Sequence, residues 1–61
     1  MYFVTLRNGQ ITGFHYHAEK TELEDNEVEI TEQQYNEYIN KGLTLFKYKY
    51  GNGIKENAQL V

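Results

Sequence analysis

Cysteine is absent from this 61-residue chain, and so is any long apolar run. The first absence excludes disulfides, so packing and hydrogen bonds must hold the fold, and the redox compartment is left unread. The second excludes a membrane-spanning helix, because apolar stretches end after four residues or fewer, against the roughly 20 needed to cross a bilayer. The start, Met1 to Leu6, lacks the basic flank and extended apolar run of a secretory signal. No Gly-rich phosphate loop, nucleophile elbow, spaced Cys/His zinc pattern or internal repeat occurs, so the sequence carries no signal for an enzyme and none for a cofactor.

What is present suits a small folded domain. Hydrophobic residues make up 39% and charged residues 25%, too apolar a mixture for a disordered tail. A chain of this length forms a single domain, residues 1–61, and buries only about 60% of the surface its unfolded form exposes. With so thin a core and no cross-link, self-association or docking on a larger partner is expected. Six tyrosines and three phenylalanines supply much of the apolar surface, and tyrosine serves both a core and an interaction face. The net charge of −3 is uneven: eight of the nine acids lie between residues 19 and 37, where Lys20 is the only base. Such an acidic segment argues against direct nucleic-acid binding, which depends on neutralising phosphates.

Tyr2 to Leu6 is rich in aromatic and β-branched residues, Asn8-Gly9 supplies the two positive-φ positions of a type I′ turn, and Ile11 to His17 resumes the extended pattern. A β-hairpin follows, with Tyr2, Val4 and Leu6 on one face and Phe3 and Thr5 on the other; Phe14 and Tyr16 oppose His15 and His17. Gly13 is placed to mark a bulge. Residues 18–26 read as a solvated loop anchored by Leu23, and Glu27-Val28-Glu29-Ile30 as a short strand.

Thr31-Glu32-Gln33-Gln34 fits a capping box with Thr31 as N-cap, and Ile30 and Tyr35 fit a hydrophobic staple. Tyr35, Tyr38 and Ile39 then repeat at helical spacing, so a helix over about 32–41 should bury that stripe. Lys41 suits its C-terminus, and Gly42 is placed to stop it in the αL conformation. Beyond it, Phe46, Tyr48 and Tyr50 alternate with Lys47 and Lys49, which predicts a half-buried strand. Gly51-Asn52-Gly53 suggests a turn into a weaker final segment, Ile54 to Val61. The predicted fold class is α+β: a small, mostly antiparallel sheet made of the N-terminal hairpin and C-terminal strands, with one helix packed on one face.

Three constellations could carry chemistry. His15 and His17 share a strand face and could present two metal ligands, but a catalytic zinc needs about three protein ligands, and the expected reading is two solvated histidines and no metal. Glu27 and Glu29, with Glu22, Glu24 and Asp25 in the loop, could mimic a phosphate backbone toward a nucleic-acid-binding protein. Phe46 to Tyr50 interleaves aromatic and basic residues like a single-strand platform, yet strand alternation sends rings and lysines to opposite faces. Tyr2 and Tyr16 remain as the interface candidates, because the two-residue turn sets the end of the second strand beside the start of the first.

The ordered series Asn8-Gly9-Gln10-Ile11-Thr12-Gly13-Phe14-His15-Tyr16, an acidic loop, Val28-Glu29-Ile30-Thr31-Glu32-Gln33-Gln34-Tyr35, Gly42 and a Gly-Asn-Gly turn resembles the N-terminal module of tail fibre assembly and tail fibre-associated proteins of tailed phages and prophages. The resemblance covers roughly residues 8 to 53. It implies a non-enzymatic protein-binding role beside a phage tail or fibre component, in a virion or a host cytoplasm, with no catalytic residues to carry over. His15 and His17 depart from the plain strand exit of that pattern, and the long C-terminal region of the assembly proteins is missing here. A phage-encoded acidic inhibitor of a host nucleic-acid-binding protein is the alternative reading, and a homo-oligomer is expected under either.

Overall fold

The computed structural model describes residues 1–51. Three strands, β1 (Tyr2–Arg7), β2 (Gln10–Tyr16) and β3 (Glu27–Glu29), are followed by two helices, α1 (Glu32–Lys41) and α2 (Leu43–Tyr50). The strands form one antiparallel sheet in the order β2-β1-β3. The β1–β2 hairpin closes through Asn8 and Gly9, whose φ values of 53° and 75° are the positive pair a type I′ turn requires.

The register pairs Tyr2 with Tyr16, Phe3 with His15, Val4 with Phe14 and Thr5 with Gly13, then slips so that Leu6 faces Ile11. That slip is the bulge at Thr12 and Gly13. Its consequence is structural: Ile11 and Phe14 are three residues apart, and strict alternation would send them to opposite faces. The extra residue returns both to the side occupied by Val4. There Val4, Ile11, Val28, Ile30 and Phe46 form the buried core, with Tyr2, Leu6, Phe14, Tyr35, Tyr38 and Tyr50 packed around it.

The capping box forms as the sequence predicts. Thr31 is extended (φ −82°, ψ 161°), its Oγ1 accepts from the Gln34 N–H at 3.0 Å, and Gln34 Oε1 accepts from the Thr31 N–H at 2.8 Å. The helix stops at Gly42, but with φ 92° and ψ 171° rather than in αL. That region is open in effect only to glycine, and its extended ψ turns the chain straight into a second helix. Ile39 also departs from expectation, lying 58% exposed. The buried face of α1 is instead Gln34, Tyr35 and Tyr38, one step round the helix.

The largest correction is residues 43–50, which form a helix and not a strand. Phe46 and Tyr50 stand at i and i+4, so one helical face carries both, and their rings meet at 4.8 Å. Phe46 is 2% exposed, whereas Tyr48, its neighbour in the strand reading, is 88% exposed. Packing favours the helix over the strand that the aromatic residues Phe46, Tyr48 and Tyr50 would also suit. Tyr38 of α1 stacks on the Phe14 ring at 3.8 Å, and α2 adds Phe46 edge-on to the same ring at 4.8 Å. Lys49 and Tyr50 then reach α1: the Lys49 Nζ lies 2.9 Å from Glu37 Oε2, and the Tyr50 hydroxyl donates to Glu37 Oε1 at 2.6 Å. α2 ends at Gly51, whose N–H donates to the Lys47 carbonyl at 2.7 Å. The expected turn through residue 53 and the final segment 54–61 lie outside the described residues. The protein is thus a small α+β domain with a three-stranded antiparallel sheet and two helices on one face.

Candidate protein-binding face

The hairpin register sets Tyr2 directly across from Tyr16, with ring centroids 4.5 Å apart and planes tilted by 40°. The helix side adds a third ring. The Ile30 N–H donates to the Tyr2 carbonyl at 3.0 Å, which brings the start of α1 beside the start of β1. The capping box then fixes the helix direction, and Tyr35 lands 5.1 Å from Tyr2. Tyr16, Tyr2 and Tyr35 therefore form a continuous aromatic row at one end of the molecule, with Tyr16 50% exposed. The Tyr2 hydroxyl is pushed above its ordinary pKa, first by desolvation and then by the charge and hydrogen bond of Glu32. It therefore stays neutral beside Glu32. Rings of this kind offer contact area at small entropic cost together with a polar handle.

His15 and His17 lie on the reverse face, and this face is not simply solvated. Phe3 is 2% exposed although it points away from the main core. The His15 ring stacks on it at 5.0 Å, the His17 ring meets it edge-on at 5.3 Å, and the Lys20 ammonium sits 5.0 Å from its centroid. The two imidazoles thus cover a phenylalanine. Their centroids are 6.2 Å apart, and among the described residues no group of three or more His, Cys, Asp or Glu is gathered that could hold a metal. Gly13 leaves room for the imidazole, since a Cβ there would fall 2.8 Å from His15 Nε2 and 3.1 Å from Thr5 Oγ1 and would displace these side-chain ends.

The two glutamates differ in the same way. Glu27 is half-buried and engaged: Lys20 Nζ lies 2.9 Å from its Oε1, which also accepts from the Glu24 N–H at 2.9 Å. These contacts, the backbone hydrogen bond foremost and Lys20 next, hold its carboxyl below the ordinary range. Its role is to pin the loop 18–26 through Lys20, the place the sequence had suggested for Leu23, which is exposed. Glu29 is exposed on the outer strand. The pattern that could have revealed Lys20 is weak, being one base among eight acids opposite an unexplained Phe3.

A second exposed group, Ile39, Leu43, Leu45 and Tyr48, lies on the helices. No helix among the described residues is long and apolar enough to cross a membrane. Comparison with known proteins finds no matching family model, no matching curated protein and no matching solved structure.

Proposed function

We propose that this chain is a non-enzymatic protein-binding module that engages its partner through the Tyr16–Tyr2–Tyr35 row. The observation that carries the reading is the continuity of the three rings, at 4.5 and 5.1 Å, ending on a half-exposed Tyr16. Side chains of this type dominate the energetic centres of interfaces. The resemblance to tail fibre modules supplies the setting: a phage or prophage tail or fibre component as partner, in a virion or host cytoplasm. The acidic-inhibitor reading would have to work through Glu29 and the loop acids, since Glu27 is already tied to Lys20 and Glu24.

The test is recovery of bound proteins by the tagged chain from an induced host, comparing wild type with Tyr16→Ser and Glu29→Lys. The proposal expects tail proteins on the wild type and on Glu29→Lys, and their loss on Tyr16→Ser with an unchanged circular dichroism spectrum. Unaltered recovery by Tyr16→Ser would refute it. Loss on Glu29→Lys alone, with a host nucleic-acid-binding protein as the captured species, would establish the acidic inhibitor in its place.

A further inference from the structure

Among the described residues the two edges of the sheet, β2 and β3, are unlike. β3 is three residues long, and two of the three are glutamates; short, charged strands are how sheets protect an edge from pairing. β2 is seven residues long and carries no carboxylate, lysine, arginine or proline. Its backbone directions follow from the bonds around it. The Ile30 N–H donates to the Tyr2 carbonyl and the Leu6 N–H to the Asn26 carbonyl, so the even-numbered residues of β1 bond toward β3. Odd-numbered residues bond toward β2, as the His17 N–H to the Met1 carbonyl at 3.0 Å shows. His15, opposite Phe3, therefore turns its backbone groups inward, and Phe14 and Tyr16 turn theirs out of the sheet. The bulge at Thr12 and Gly13 ends this regular stretch on its N-terminal side.

We propose that two copies of the chain pair along this edge, β2 against β2 and antiparallel, about a two-fold axis at His15. Phe14 of each copy then exchanges main-chain hydrogen bonds with Tyr16 of the other. The register follows from the geometry: the two outward-facing residues are symmetric about His15, so inverting the strand there sets each against the other without involving the bulge. Antiparallel pairing of identical strands is self-complementary, which is the requirement of a two-fold interface. Phe14 and Tyr16 both lie on the helix face, so the pairing also places each half-exposed Tyr16 beside a second phenylalanine.

The net −3 of each chain does not oppose this pairing. In the resulting six-stranded sheet the acidic β3 edges are outermost. Five strand spacings of about 4.8 Å separate them by about 24 Å, some three Debye lengths at physiological salt, where the screening length is about 8 Å. This contact is made by backbone and does not rest on the aromatic row serving a foreign partner.

Sedimentation equilibrium of the full chain tests the proposal. It expects a reversible monomer–dimer equilibrium and no larger species. A synthetic chain N-methylated at Tyr16 loses one outward donor in each copy, two hydrogen bonds per dimer, and should associate about thirtyfold more weakly. N-methylation at Ile11, beyond the bulge, should leave association unchanged. Amide exchange on the unmodified chain serves as the second readout and is independent of whether the variants fold: the Phe14 and Tyr16 amides should slow as concentration rises, while Ile11 does not. A monomer at every concentration would overturn the proposal, as would a dimer whose Phe14 and Tyr16 amides are indifferent to concentration.

Discussion

Replacing Thr31 by alanine removes the Oγ1 that accepts from the Gln34 N–H at 3.0 Å. The return bond, Thr31 N–H to Gln34 Oε1, uses the backbone of residue 31 and survives. One half of the capping box is therefore lost, and loss of a threonine N-cap costs about 1 kcal/mol. Gln34 is 3% exposed, so water does not readily replace the missing acceptor, which places the cost at or above that value. Total stability at 0.05–0.15 kcal/mol per residue is roughly 3–9 kcal/mol for a chain of this length, so one cap is a substantial fraction. The thermal midpoint should fall by about 4–8 °C, and the urea midpoint should fall with an unchanged m-value. Thr31→Ser keeps the acceptor and should stay close to wild type. A Thr31→Ala midpoint within error of wild type, or a serine variant as damaged as the alanine one, would refute the assignment of stability to this bond. The consequence reaches the candidate face, because the cap sets the helix direction that brings Tyr35 to Tyr2.

Phe46→Ala should cost about 3–5 kcal/mol, while Tyr48→Ala should stay within about 0.5 kcal/mol; equal losses in urea titration would indicate that the two share a face, as in a strand. Gly42→Ala meets no atom within 4 Å, yet holding alanine at φ 92° should cost about 1–3 kcal/mol, and a stability unchanged by calorimetry would contradict the observed turn. Glu37 is held below its ordinary pKa of 4.5, first by the Tyr50 hydroxyl and then by Lys49, and Glu27 is lowered by the Glu24 N–H and Lys20. A lowered carboxylate stabilises the fold above its unfolded value, and that contribution disappears as pH falls through the lowered folded value. Stability measured by urea titration should therefore decline as pH drops below about 4.5, and Glu37→Gln should flatten the decline.

Local chemistry made much of the fold legible. Asn8-Gly9 needs only two residues to specify its turn, and Thr31 with Gln34 specifies the helix start through bonds spanning three positions. The register placing Tyr2 against Tyr16 follows from that turn, so the hairpin half of the candidate face could be read directly. Tyr35 could not be joined to it, because its position depends on β3 pairing with β1. Residues 43–50 fit a two-residue and a helical period about equally well, and Phe46, Tyr48 and Tyr50 alone do not choose between them. The choice lies with the Phe14 ring, which Phe46 meets edge-on beside Tyr38, and with Glu37, which meets Lys49 and Tyr50 only when the segment is helical. His15, His17 and Lys20 were legible as residue types but not as a lid on Phe3. The sequence by itself determined the elements whose bonds close within a few residues. Tertiary structure decided those whose pattern is degenerate, because burial against a distant surface is settled only once that surface exists.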